Sequence, residues 1–253
     1  MTPGRLRSRR RLPGLLALGL VAACHHFDVR SYVDPVDLLH ASMREFRAGR
    51  YAKSQEGFQK LTFDLGARDT LYPVARYFLG ESYFGQGDYI TAAREFRRVA
   101  DESPNSTLAP DALLRVGDCY AELWAKPELD PTNGQTALAT YHELQGRFPD
   151  AAATRIAGAR IRALNEQFAR KEFENAAFYF KRSAYDSAIL YFKDLIASYP
   201  SSSLVPEAFV YIVRSFHAIG YKDEENDYCG RLRQLYPQHA GVKRYCGNGT
   251  AGR

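Results

Sequence analysis

The sequence predicts an all-α fold, a superhelical array of about five helix-turn-helix repeats. Three observations predict it. Apolar residues recur at three-four spacing in paired runs, the mark of amphipathic helices. Prolines open runs at Pro35, Pro73, Pro110 and Pro206, where a missing N–H costs a helix nothing. Small residues fall where two helices of a hairpin must cross closely, as at Gly80 and Ala92. Short runs such as Ala177 to Phe180 hold strand-forming aromatics, but the flanking periodicity decides for helix, and no strand is expected.

The stretch from Pro73 to Pro104 is the most regular. Leu79, Gly80 and Tyr83 share one face of a first helix, Gly87-Asp88 turns the chain, and Ala92, Phe96 and Val99 share one face of a second. That is the spacing of a tetratricopeptide (TPR) unit of about 34 residues, which needs neighbours to bury its apolar face. The first repeat runs from 35 to 66, with Leu38, Ala41 and Ser42 before Gly49 and Tyr51, Ser54, Phe58 and Leu61 after it. The third, 110 to 149, places Val116, Gly117 and Tyr120 against Ala137, Tyr141 and Leu144. Its two helices are separated by Lys126 to Gly134, whose two prolines, glycine and asparagine predict a lengthened turn, either a contact site or a passive linker. The fourth, 152 to 200, begins with an unbroken pattern that predicts one helix from about 152 to 182, followed by Tyr185, Ala188, Phe192 and Leu195. The fifth, 206 to 237, carries Ile212, Val213 and Phe216, then Cys229 and Leu232. Glu225 stands there in place of the usual alanine, so this hairpin is expected to be the loosest or to be capped. Together the repeats predict roughly eleven helices in a domain of residues 35–237, with a flexible tail over 238–253.

Residues 1–23 form a targeting segment. Five arginines between Arg5 and Arg11 precede an apolar run from Leu12 to Ala23 that is too short to span a bilayer, which takes about 20 residues. Removing those arginines from the 34 basic residues leaves 29, matching the 29 acidic ones. A neutral mature chain gives no support for nucleic-acid binding, which depends on phosphate neutralisation. The segment ends Val21-Ala22-Ala23-Cys24, which resembles the lipobox of bacterial lipoproteins. That resemblance implies cleavage before Cys24, acylation there, and a short tether over 24–34. The alternative is an ordinary signal peptide followed by an incidental cysteine. His25 follows, and no aspartate stands there to retain the chain at the inner membrane, so outer-membrane sorting is expected. Of the other cysteines, Cys119 reads as a small buried thiol, and Cys229 and Cys246 can pair in an oxidising compartment. Sequence alone does not fix that pairing.

No catalytic or metal motif is found. His142-Glu143 is followed by Gly146 where a metalloprotease needs a second histidine, and His25-His26 is better read as a solvated tether than as a metal site. Acidic pairs such as Glu172/Glu174 and Glu224/Glu225 read as charged helix faces. The chain is therefore expected to be neither an enzyme nor a cofactor carrier. A stacked array does offer a concave groove lined by the first helix of each hairpin. The repeat spacing places Leu39, Met43, Phe46, Tyr77, Glu81, Phe84, Leu114 and Asp118 on it. That mixture suits an extended or helical peptide with apolar anchors, unless the aromatics simply pack between repeats. Arg44, Arg47 and Arg50 at one end suit a terminal carboxylate.

The lipobox, the five repeats, the long fourth-repeat helix, the run from Phe178 to Ile189 and the run from Tyr199 to Ala208 together resemble the BamD family of outer-membrane lipoproteins. The resemblance covers Cys24 to about Pro237. It implies a lipid-anchored scaffold of the β-barrel assembly machinery, on the periplasmic face of the outer membrane. Its amino-terminal repeats would receive unfolded outer-membrane β-barrel proteins. Its carboxy-terminal repeats would dock a periplasmic domain of the barrel-forming partner, although Glu225 and Cys229 depart from the family pattern there. Leu79 to Phe84 and Ala109 to Leu114 also resemble the CpoB (YbgF) family of periplasmic TPR proteins, which would imply a role in coordinating wall synthesis with division. The lipobox and the long helix argue against that reading.

Overall fold

The computed structural model describes residues 27–247. Ten α-helices form five antiparallel hairpins stacked in sequence. They are α1 (Pro35–Arg47) with α2 (Tyr51–Asp64), α3 (Tyr72–Gly85) with α4 (Tyr89–Glu102), α5 (Ala109–Glu122) with α6 (Thr132–Arg147), α7 (Ala152–Lys181) with α8 (Tyr185–Ser198), and α9 (Val205–Ile219) with α10 (Lys222–Leu235). Each helix packs on the one before and the one after it, as a solenoid requires. A 3₁₀ turn over Val29–Ser31 and a π turn over Val242–Cys246 flank the array. Among the described residues there is no strand, and no helix is long and apolar enough to cross a membrane.

Local chemistry sets the helix ends. The Asp34 carboxylate accepts the Val36 N–H at 3.0 Å at the start of α1, and Asp88 accepts the Thr91 N–H at 3.1 Å at the start of α4. Between the helices of four hairpins the chain passes through a left-handed residue, Gly49, Gly87 or Gly220, and in the fourth Ser183 at φ 60°.

Inside each hairpin, bulk on one helix is matched by its absence on the other. A Cβ on Gly80 would lie 2.8 Å from the Phe96 ring, and one on Gly117 would lie 2.3 Å from the Tyr141 ring. Ala176 and Phe192 repeat the arrangement in the fourth hairpin, both fully buried. In the fifth the register is the same but the sizes are exchanged, with Val213 at the small position and Cys229 at the large one, both buried. That exchange accounts for the departure at Cys229.

Three expectations change. The long turn covers residues 123–131, and Asn133 and Gly134 lie inside α6. Nor is it a passive linker. Trp124 is 1 % exposed, packs on Phe168 of α7 at 4.4 Å, and sits where a Cβ on Gly134 would be 2.1 Å away. Lys171 of α7 donates to the Pro127 and Leu129 carbonyls at 2.9 and 3.0 Å. The turn thus braces the middle of the long helix, which α6 alone is too short to cover. The tether is also shorter than 24–34, because Phe27 is buried against α1 and α2. The tail is not free over 238–246. Gly241 is packed against Val210, and Cys229 and Cys246 are joined with their Cα atoms 5.4 Å apart. Covering α9 and α10 in this way caps the hairpin that Glu225 would otherwise leave loose; Glu225 itself bridges to His217 at 3.1 Å.

Candidate functional site

The predicted groove residues separate into three kinds. Leu39 and Leu114, 9 % and 7 % exposed, belong to the core beneath the surface. Met43, Phe46, Tyr77 and Phe84 are half-buried on α1 and α3. The three rings pack edge-on against neighbouring rings, Phe78 of α3 and Tyr89 and Phe96 of α4. Phe46 meets the edge of Phe78 at 5.4 Å, Tyr77 meets Phe78 at 5.5 Å and Phe96 at 5.3 Å, and Phe84 meets Tyr89 at 5.0 Å. Edge-to-face contacts of this kind hold rings in fixed positions while leaving part of each face to solvent.

Glu81 and Asp118 are the third kind, and both are held by Arg115. Its guanidinium donates to the two Glu81 oxygens at 2.7 and 2.9 Å and to Asp118 Oδ2 at 3.1 Å. It also lies over the Phe84 ring at 3.9 Å. Burial works against the Arg115 charge, but the two carboxylates outweigh it and hold the guanidinium above its ordinary value. The second Asp118 oxygen accepts from the Tyr141 hydroxyl at 2.8 Å and from Arg160 Nε at 3.2 Å. Burial, with Glu81 beside it, raises the Tyr77 hydroxyl, and burial pushes the nearby Cys119 thiol up to about 12. Both acids therefore have their oxygens committed to cations or hydroxyls. The chemistry on offer is an aromatic strip with a charge-neutral polar seam across it.

Arg115 belongs to no motif in the sequence. The available signal was its place 34 residues after Glu81, about one repeat length, which puts opposite charges on adjacent hairpins. Of the three arginines at the amino-terminal end, Arg50 is taken up by Glu45, which is 1 % exposed, with one contact at 3.0 Å. Arg44 and Arg47 remain exposed on the last turns of α1. Cys24 lies outside the described residues.

A second aromatic surface lies on the fourth hairpin. Phe178 and Leu190 are 51 % and 59 % exposed, Tyr179 stacks on Tyr191 at 5.0 Å, and Arg182 lies over Phe178 at 4.6 Å.

The family described as "YfiO: Outer membrane lipoprotein" matches residues 33–232. The chain belongs to this family. Curated members of similar sequence are each described as "Outer membrane protein assembly factor BamD". The chain is 23 % identical to that of Vibrio cholerae, over 84 % of this chain and 92 % of the relative. It is 22 % identical to that of Rickettsia prowazekii, over 92 % and 93 %. The match to that of Caulobacter vibrioides is 26 % but covers only 57 % of this chain and 48 % of the relative, so the chain spans about half the length of that protein. The YfiO match begins two residues before α1 and ends within α10, and so takes in all five hairpins. Among solved structures, that described as "TPR2AB-domain:pHSP90-complex of yeast Sti1" shares 12 % identity over 82 % of this chain and 80 % of that one, with a TM-score of 0.44.

Proposed function

We propose that this YfiO-family chain is a non-enzymatic scaffold lipoprotein of the outer-membrane β-barrel assembly machinery. Acylated at Cys24 and facing the periplasm, it receives unfolded outer-membrane β-barrel proteins along α1, α3 and α5. It docks the periplasmic domain of the barrel-forming partner through its carboxy-terminal hairpins. The observation that carries the reading is the family match across all five hairpins. The half-buried strip of Met43, Phe46, Tyr77 and Phe84 supports the first role, since a fixed row of apolar anchors suits an extended segment that has not yet paired its strands. The exposed Phe178, Leu190 and stacked tyrosines on α7 and α8 support the second, because apolar surface of this kind marks interfaces.

Site-specific photocrosslinking from position 84 in living cells tests the groove. Crosslinks to nascent barrel proteins are expected. Crosslinks confined to soluble division or envelope-constriction proteins would refute the reading and favour the other TPR family named above.

A further inference from the structure

We propose that the amino-terminal end of the array rests on the lipid surface itself, with Phe63 entering the headgroup layer. The inference depends on acylation at Cys24 as proposed above. Chain length carries it. Phe27 is 8 % exposed, and its ring lies against α2 where a Cβ on Gly57 would approach it to 3.0 Å. Only His25 and His26 separate Phe27 from Cys24. Three residue steps reach at most roughly 11 Å whatever path they take. A diacylglycerol on the Cys24 sulfur places that residue at the boundary between headgroups and acyl chains, and the headgroup layer is only about 5–8 Å deep on each side. Phe27 can therefore stand no more than about 6 Å beyond the headgroup layer, which keeps the face around it close to the membrane surface.

The side chains on that face suit the position. Phe63 on α2 is 89 % exposed, against 53 % for Tyr221 and 51 % for Phe178, and it shares a shallow hollow with Val29, Arg30, Gln59 and Lys60. In water such a ring is a standing cost. In the interface it is at home, where aromatic side chains and basic residues anchor peripheral helices. Val33 and Val36, 97 % and 42 % exposed, follow in the same entering segment. Charge does not carry the contact. Arg30 and Lys60 are offset by Glu56 and Asp64 in the same hollow, and Lys60 is paired with Asp64. The contact is thus apolar, indifferent to anionic lipid and to salt.

The test uses the full-length protein carrying Phe63→Trp, extracted from envelopes with its own acyl chains and reconstituted in phosphatidylcholine vesicles. A parallel preparation uses phosphatidylcholine dibrominated near the carbonyl end of its acyl chains. The native Trp124 is the only tryptophan of the chain and is 1 % exposed, so it supplies a constant background. Leu235→Trp, at a 55 % exposed site on α10, is the distant control. The expected result is loss of emission from the indole at position 63 in brominated vesicles, unchanged by added salt, with no loss for the control. Equal emission from the two variants overturns the contact, as does quenching that salt abolishes. Mass spectrometry of the amino-terminal peptide distinguishes the two readings. An acylated but unquenched protein removes the surface contact alone, and a protein with no acyl mass at Cys24 removes both.

Discussion

At the scale of single residues, the two glycines Gly117 and Gly146 make a clean contrast. Both lie inside helices of the third hairpin. Gly117 has no room for a methyl group, because the Tyr141 ring sits 2.3 Å from where its Cβ would be. That ring cannot retreat easily, being fully buried and fixed at its hydroxyl by Asp118. Gly117→Ala should cost about 1–3 kcal/mol by overpacking. Gly146 meets nothing within 4 Å, so Gly146→Ala should gain roughly 0.5–1 kcal/mol by restricting the unfolded chain. Urea unfolding of the two variants measures both, and a Gly117→Ala protein as stable as its parent would show that the hairpin is more loosely packed than described.

Two charged clusters join helices, and they differ in kind. Between α3 and α4, the Arg76 and Glu95 side chains are 7 % and 11 % exposed and meet at 2.5 Å, with the Tyr72 hydroxyl bonded to Glu102 at 2.6 Å alongside. Removing Glu95 leaves the buried Arg76 with only the Tyr72 hydroxyl and a Glu102 oxygen 3.8 Å away, so Glu95→Ala should cost about 3 kcal/mol, whereas Arg76→Met combined with Glu95→Leu should be close to neutral. Calorimetry on the single and double variants tests this, and an additive double variant would refute it. Between α4 and α6 the cluster is half-exposed. Arg97 reaches both Glu143 oxygens at 2.7 Å, and Arg147 ties Glu143 to Asp101 and to the Ala100 carbonyl. Partial burial works against the Glu143 charge, but its bonds to Arg97 and Arg147 prevail and lower the carboxyl below its ordinary 4.5. A carboxyl lowered on folding stabilises the protein above its unfolded value and loses that contribution as the pH falls through the folded one. The stability difference between the parent and Glu143→Gln should therefore be present at neutral pH and vanish as the pH drops below 4.5. A difference that persists at the acid end of a pH series of melts would contradict the assignment.

At the scale of the molecule, an array in which each hairpin touches only its neighbours can lose one end without losing the rest. The Cys229–Cys246 bond closes a span of 17 residues over the last hairpin. Arg214 lies against Phe180, Tyr211 and Tyr245, at 4.7, 5.0 and 5.2 Å, and so joins that strap to the fourth hairpin. A closed loop of this length contributes roughly 3 kcal/mol by constraining the unfolded chain. Cys246→Ser should accordingly speed amide exchange in α9 and α10 while leaving α1 to α4 unchanged. Uniform acceleration along the chain would mean that the five hairpins open as one unit, contrary to the solenoid description.

The sequence by itself determined the hairpins. Three-four apolar spacing, prolines in first turns and glycines between helices are local signals, and each acts within a dozen residues. The same locality puts Gly80 and Gly117 on the faces that cross their partner helices, but the spacing sets Gly80 beside Ala92, and only the structure shows that each glycine faces a ring, Phe96 or Tyr141. What lay between hairpins was not readable. Arg115 joining Glu81 to Asp118, Trp124 filling the space beside α7, and Phe27 shortening the tether all depend on which surfaces the superhelix brings together. Register puts Leu39 and Leu114 on the groove, and the packing of neighbouring helices buries both beneath it. Periodicity fixes the direction in which a side chain leaves its own helix, but only the packing of neighbouring helices decides whether it meets solvent or another side chain.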